Sequence, residues 1–292
     1  MRRLGAALIG LTALLALDAL GGRTAGAQTE RPERTRLLAL RAPLSQAVYL
    51  RPVTLDIGSS EEEAWAAVWR CKREPLGQRC DETTFASELP LHSQQVAGFW
   101  ISRTEVTVAD YGRCVAAGRC GPAGYEGGAQ RFQRPNLPVT LVTFDDASRY
   151  CGFRAGRLPT EAEFERAARG PARRLYPWGK SFLGSLANHG RLGVDPTDSS
   201  DGFAELAPVG SFPAGATPEG ILDLAGNVAE WTSDAFAPGY DLPATTERSV
   251  RGGHYADAAP FLRGAARLGK PPDTREPTLG FRCVWPVRPM SD

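Results

Sequence analysis

The stretch 220–234, GILDLAGNVAEWTSD, limits the fold more strongly than any other part of the chain. Its apolar residues and its polar residues Asp223, Asn227, Glu230 and Asp234 follow neither the period of a helix nor that of a strand. We expect packed but irregular backbone, whose polar groups need partners. Two kinds of partner remain open from this stretch alone. One is a bound Ca²⁺, which takes carboxylate and carbonyl oxygens, and the other is the loop's own Asp and Asn side chains.

The composition favours a fold with many turns, since the 292 residues include 32 glycines and 23 prolines. The length allows one large domain or two small ones. A formal net charge of +1 provides no electrostatic footprint for nucleic acid or for an anionic membrane. We therefore expect no nucleic-acid partner.

The first residues have the pattern of a targeting signal: the basic start MRR, an apolar run over 4–17 and the small-residue site AGA at 25–27. The apolar run is too short to span a bilayer. We expect a periplasmic or secreted protein with no membrane span after signal cleavage, although an uncleaved anchor stays open. The predicted organisation is a signal peptide, a linker or arm, one domain and a short tail, at 1–27, 28–48, 49–288 and 289–292.

Six cysteines in an exported chain predict disulfides, because that compartment is oxidising. Six cysteines allow fifteen pairings. Local spacing favours Cys71–Cys80 and Cys114–Cys120, which leaves Cys151–Cys283. The last bridge would close a loop across most of the domain and contribute roughly 4–5 kcal/mol in the chain-entropy model. If all three form, no free thiol remains.

The element pattern is a few short helices among short strands, which fits neither a βαβ series nor a sandwich. Helices are predicted from their N-cap residues and apolar faces. They follow Ser60 (with Trp65, Val68 and Trp69 on one apolar face), Thr107 and Thr160, and a fourth covers 145–154. Strands are predicted at 49–57, 95–102, 138–144, 249–255 and 279–284.

A series of motifs resembles the formylglycine-generating-enzyme (sulfatase-modifying factor) family: GFWISRTEVTVADY, LPVTLVTFDDASRYC, GRLPTEAEFERAARG, YPWG, GNVAEWTSD, RGGHY and LGFRC. Their order and spacing match along about Val53–Val287. The resemblance implies an α+β domain with a modified C-type-lectin-like fold and little regular secondary structure. It also supports the Cys151–Cys283 bridge.

The resemblance further implies two structural Ca²⁺ sites, built from side-chain and carbonyl oxygens. The first would use the side chains of Asp223 and Glu230 and the carbonyls of Gly226 and Val228. The second would use the side chains of Asn188 and Asp201 and the carbonyls of His189 and Phe203. The alternative for the second site is a solvated Asp/Ser loop.

The chain departs from the family where active members carry two cysteines that bind Cu(I) and the substrate thiol. Those positions are Asp257 and Leu262, in the stretch RGGHYADAAPFLRGAAR. A soft ion such as Cu(I) selects thiolates, so we do not expect copper. The remaining pocket candidates are His254, Asp257 and Glu105, without an assigned catalytic role.

Three functions remain open. The first is a non-catalytic binding or scaffolding module, a pseudoenzyme that holds a peptide, protein or glycan ligand. The second is an exported tailoring oxidoreductase of the same fold. The third is oxidation of a sulfatase cysteine to formylglycine through another sulfur arrangement, which the expected disulfides oppose.

Overall fold

A computed structural model describes residues 46–192 and 198–287. The predicted signal peptide and the tail 289–292 lie outside the described residues, as does most of the predicted arm. The first strand begins at Ala47, within the last residues of that arm.

Within residues 46–192 and 198–287, four α-helices each begin at an N-cap residue whose side chain caps the helix. They are α1 (Glu61–Cys71), α2 (Val108–Ala116), α3 (Phe144–Phe153) and α4 (Glu161–Arg169). The hydroxyls of Ser60, Thr107, Thr143 and Thr160 each accept a hydrogen bond from the third helical N–H. Such a cap contributes about 1 kcal/mol. These contacts confirm the helices that the sequence predicts.

In the part of the chain that the structure describes, nine short strands form three sheets. The strands are β1 (Ala47–Leu50), β2 (Val53–Ile57), β3 (His92–Val96), β4 (Phe99–Ser102), β5 (Ala229–Ala235), β6 (Arg248–Arg251), β7 (Arg267–Lys270), β8 (Leu279–Gly280) and β9 (Val284–Pro286). The sheet orders are β1-β4-β9, β2-β3 and β7-β6-β5-β8. All neighbours pair antiparallel except β5 and β8.

Two predicted strands are each divided between two sheets, so their single-strand assignment was wrong. The run 49–57 breaks at Arg51-Pro52, where β1 ends and β2 begins in another sheet. The run 95–102 breaks at Gly98, on which a Cβ would lie 2.7 Å from the Tyr49 hydroxyl. Proline and close backbone approach both interrupt a ladder.

The predicted strand 138–144 is not a strand. Pro138 forms an isolated bridge with Thr107, and Leu141 then turns the chain with a φ of 58°. Thr143 caps α3. The apolar run therefore reflects burial of Val139 and Val142 in the core.

The stretch 220–234 is only half irregular. Its first part bends through positive φ angles at Gly220, Asp223, Gly226 and Asn227. A Cβ on Gly226 would lie 2.0 Å from the Asn188 carbonyl oxygen, so this position requires glycine. Its second part is β5, contrary to prediction. β5 lies between β6 and β8 and is buried along residues 229–232, which explains why the sequence does not alternate.

The outer face of α1 also differs from prediction. Val68 is buried, but Trp65 and Trp69 are 56% and 60% exposed. The helix instead packs through its small residues Ala64 and Ala67 together with Cys71. The sequence predicts both indoles on the buried side of the helix, because large apolar residues usually lie on the face that contacts the core.

All three predicted disulfides are present: Cys71–Cys80, Cys114–Cys120 and Cys151–Cys283. They use every cysteine of the chain. Within the described ranges no helix has the length and apolarity needed to cross a bilayer.

Candidate functional site

A cleft of about 230 Å³ lies beside strands β6 and β7. Its walls combine aromatic and aliphatic side chains with two acid–base pairs. The residues that matter here are Phe85, Phe261, Leu268, His254, Asp257, Lys270 and Glu276. The cleft therefore offers both apolar surface and hydrogen-bonding groups to a ligand.

Two glycines shape the turn that carries His254 into this cleft. Gly252 and Gly253 have φ angles of 93° and 65°. A Cβ on Gly253 would lie 2.6 Å from a methyl carbon of Leu262 and 2.8 Å from the Phe261 carbonyl. The second glycine of the RGGHY motif is therefore required, because its φ is positive and a Cβ there would collide with Leu262 and the Phe261 carbonyl.

His254 and Asp257 hold each other in place. The His254 N–H donates to Asp257 Oδ2 over 3.0 Å, and the Asp257 N–H donates to the His254 carbonyl over 2.8 Å. The Ala256 N–H donates to His254 Nδ1, so a neutral ring carries its proton on Nε2. That nitrogen lies 3.5 Å from Asp257 Oδ2. Both side chains line the cleft, where a ligand could form hydrogen bonds with them.

The charges of the cleft are only partly balanced. Burial raises the pKa of Asp257, and the neighbouring His254, the hydrogen bond from the His254 N–H and the charge of Lys270 oppose that rise. Lys270 is itself paired with Glu276 over 2.8 Å. The cleft therefore contains a second acid–base pair besides His254 and Asp257.

Neither position at which a cysteine would be expected from the resemblance offers sulfur. Asp257 lines the cleft, whereas the side chain of Leu262 is fully buried and packs with Tyr176 and Ala225. All six cysteines are joined in disulfides. The chain thus contains no thiol that could form a thiolate.

Glu105 lies elsewhere, in a cluster of carboxylates. Its Oε1 accepts a hydrogen bond from Asn227 Nδ2 over 2.9 Å, and its buried Oε2 has no donor in the described part of the chain. Asp223 Oδ2 accepts from the Gly210 N–H over 2.6 Å. Glu230 is fully buried and accepts from Arg282 Nε and a terminal nitrogen at 2.7 Å each.

The cluster places three carboxyl groups, those of Glu105, Asp223 and Glu230, near the single guanidinium of Arg282. Burial, and then the nearby Asp223, raise the pKa of Glu105 well above its usual value, and Arg282 opposes this rise. Burial also raises the pKa values of Asp223 and Glu230. Raised pKa values mean that, without a bound cation, this environment favours protonated carboxyl groups. A bound Ca²⁺ would instead stabilise the ionised carboxylates. Arg282 already engages both oxygens of Glu230, and no group of three or more His, Cys, Asp or Glu side chains among the described residues is arranged to hold a metal ion.

The residues of the second predicted site are brought together as well. Asp201 accepts hydrogen bonds from the N–H groups of His189 and Phe203, at 2.6 and 2.9 Å. Asn188 Nδ2 donates to Asn227 Oδ1, while the buried Asn188 Oδ1 has no donor among residues 46–192 and 198–287. An unpaired buried acceptor is costly. A hard cation would satisfy it, so the donor set fits Ca²⁺.

Sequence reasoning missed two residues of this region. Asn227 links the two clusters, since it contacts Asn188 and Glu105. Arg282 neutralises Glu230 from a position far along the chain. Both residues lie inside family motifs, Asn227 in GNVAEWTSD and Arg282 in LGFRC, and this position was the only sequence signal for them. Their partners could not be named, because ion pairs between distant residues leave no periodicity.

Comparisons with known proteins agree with the motifs. Residues 63–287 match the sulfatase-modifying factor enzyme 1-like domain. The chain is 38% identical over 180 residues to inactive C-alpha-formylglycine-generating enzyme 2 of Mus musculus, covering 59% of this chain and 56% of the relative. It is 32% identical over 250 residues to hercynine oxygenase of Mycolicibacterium thermoresistibile, covering 69% and 54%. The chain thus spans about half the length of these curated relatives.

Solved structures support the same fold. PvdO from Pseudomonas aeruginosa superposes with a TM-score of 0.63 at 24% identity, covering 82% of this chain and 94% of that protein. Treponema denticola variable protein 1 superposes with a TM-score of 0.59 at 20% identity, covering 82% and 94%. These likenesses support the α+β fold and carry no statement on activity.

Proposed function

Since the chain belongs to the sulfatase-modifying factor (formylglycine-generating enzyme) family, we propose that it is an exported, non-catalytic binding domain stiffened by structural calcium. The observation that carries this proposal is that all six cysteines are paired in disulfides. Copper-dependent oxidation of a substrate thiol needs soft thiolate ligands. With Asp257 and Leu262 at the expected positions, the chain has none to offer.

The cleft at His254 is the proposed ligand site. Its aromatic wall and its two acid–base pairs suit a peptide or protein segment, or a glycan, better than a purely apolar molecule. The name of the mouse relative, an inactive enzyme, agrees with a fold kept without its chemistry. Export is supported by the leader-like first residues and by the disulfides, which persist in oxidising compartments.

Calcium would be held by two sets of residues. The first set is Asp223 and Glu230 with the Gly226 and Val228 carbonyls, and the second is Asn188 and Asp201 with the His189 and Phe203 carbonyls. Its role would be structural: it would stabilise the ionised carboxylates and supply the partner that Asn188 Oδ1 lacks.

The direct test offers a sulfatase-motif cysteine peptide, Cu(I) and oxygen to the unreduced protein and measures formylglycine by mass spectrometry. We expect no turnover, and thiol titration should find no free sulfhydryl. Clear turnover would overturn the non-catalytic assignment. A variant with Asp257→Cys and Leu262→Cys serves as a control, because any copper binding that it gains shows that the wild type lacks only the sulfurs.

The calcium part is tested separately by elemental analysis and by thermal unfolding with and without a chelator. We expect bound calcium and a chelator-induced fall in Tm of several degrees. Asn188→Ala should remove part of that fall, whereas Asn136→Ala, at an exposed turn position, should not. Absence of calcium from freshly purified protein, with no response to added Ca²⁺, would contradict this part.

A second candidate function is an oxidoreductase with altered chemistry. It is favoured by the 32% identity with a protein named hercynine oxygenase and by the His254–Asp257 pair facing the cleft. This alternative requires a redox-active metal in the purified protein that His254→Ala releases. Calcium alone would argue against it.

A further inference from the structure

The outer side of α1 exposes two tryptophans where a helix would usually place polar residues. Trp65 and Trp69 are 56% and 60% exposed. They lie four residues apart, so their rings stand on one side of the helix about 6 Å apart along its axis. Exposed aromatic surface of this kind marks a contact site.

Three cations line a cavity beside the C-terminal end of α1. Arg70, Arg73 and Lys180 line this cavity of about 370 Å³, together with Glu74. Arg73 places its guanidinium 4.3 Å from the centre of the Trp69 ring. In the described residues none of the three cations belongs to a salt bridge, whereas most buried arginines are paired. The cavity therefore has a net positive rim that an anion would neutralise.

The floor of the cavity is rigid. Tyr176 and Trp178 stack with ring centres 5.4 Å apart, and Tyr176 contacts Phe182 at the same distance. The Tyr176 hydroxyl donates to the Ala259 carbonyl over 3.1 Å. The Cys71–Cys80 bridge fixes the end of α1. Because these side chains are already held in place, binding a ligand would cost little of their conformational entropy, which favours affinity.

We propose that this Trp/Arg face, formed by Trp65, Trp69, Arg70, Arg73 and Lys180, binds an acidic oligosaccharide. A sugar ring presents a flat C–H face that can cover an indole, and its carboxylate or sulfate groups pair with guanidinium groups, two hydrogen bonds at a time. The cavity would take one acidic sugar, and the two indoles would carry the next rings of the chain. This site is separate from the cleft at His254.

Two other anionic partners fit less well. The flat surface of an anionic bilayer cannot fill a concave cavity. An acidic peptide would satisfy the three cations but offers no run of flat rings to cover both indoles.

The test is calorimetric titration of the full protein with a heparin-derived sulfated hexasaccharide at physiological salt. Neutral maltohexaose is the uncharged probe. We expect saturable binding of the sulfated probe only. Trp65→Ala with Trp69→Ala should weaken it at least tenfold, about 1.4 kcal/mol. Replacing both indoles by Phe should retain most of the affinity, since a ring face remains.

The charge requirement is tested by Arg73→Gln, which should weaken binding and reduce its salt dependence. Arg119→Gln, at an exposed position near Cys120, is the matched control and should change nothing. His254→Ala should also leave this binding intact. The proposal for the Trp/Arg face can therefore fail or succeed independently of the proposal for the cleft at His254.

Three results would overturn the proposal. The first is no binding of the sulfated probe, and the second is equal binding of the neutral probe. The third is preferential binding of phosphatidylglycerol vesicles or of poly-glutamate, which would assign the face to a membrane or to an acidic peptide. Circular dichroism of each variant shows that the fold persists, as expected for exposed side chains.

Discussion

Removing the Cys151–Cys283 bridge should destabilise the domain far more than removing Cys114–Cys120. The first bridge joins residues 132 positions apart and the second joins residues 6 apart. In the chain-entropy model these loops correspond to about 5 and about 2 kcal/mol. We therefore expect a difference of about 3 kcal/mol between the two double Cys→Ala variants.

Packing losses do not account for this difference. Cys151, Cys283 and Cys114 are at most 1% exposed, and Cys120 is 8% exposed. Each Cys→Ala change removes one sulfur and leaves a methyl group, so the two double variants should leave similar small voids. Alanine is preferred to serine here because a buried hydroxyl would need a new hydrogen-bond partner.

The assay is urea denaturation followed by tryptophan fluorescence, with the wild type and both variants under non-reducing conditions. We expect the midpoint of the long-loop variant to fall much further. Its m-value should rise, because its unfolded chain is freer to expand. Equal free-energy losses in the two variants would refute the reasoning and place the contribution of the bridges in local packing instead of in the unfolded chain.

Two further predictions concern buried charges. Arg263→Met should cost about 3–5 kcal/mol, because it leaves buried Glu88 without its ion-pair partner. Adding Glu88→Leu should recover much of the loss, and no recovery in denaturation experiments would contradict this. For Asp257, burial raises the pKa, so the fold favours its protonated form and its contribution to stability falls as pH rises from about 4 through the raised value. Asp257→Asn should therefore gain stability relative to the wild type as pH increases, and a difference independent of pH would contradict the assignment.

The sequence predicted the helices because their signals are local. Thr160 and Glu163 sit three residues apart, and their reciprocal hydrogen bonds form without reference to any other part of the chain. The disulfides were predictable from short spacings, with the remaining pair supported by the family motifs. The fold class followed from the same motifs.

Strand boundaries were not predictable, because distant partners decide them. Gly98 ends one ladder where it meets Tyr49. β5 shows no alternation, since β6 and β8 cover both edges and its residues are buried on both faces. A two-residue period appears only when one face of a strand contacts water.

The candidate sites were predictable by residue type but not by partner. The sequence identified Glu105, but its contact with Asn227 places it in the carboxylate cluster instead of beside His254. The exposure of Trp65 and Trp69 was also unforeseen. Apolar character alone cannot separate a core residue from a contact residue.

The central strand of the first sheet has a consequence for how the chain is made. β4 lies between β1, the earliest strand of the described region, and β9, the latest. At synthesis rates of about 5–20 residues per second, the edge of β4 that β9 covers stays open for roughly ten to forty seconds. During that time Phe99–Ser102 can pair with another nascent chain. The domain therefore completes its folding only after synthesis has passed Pro286, and factors that shield unfolded chains should determine its yield.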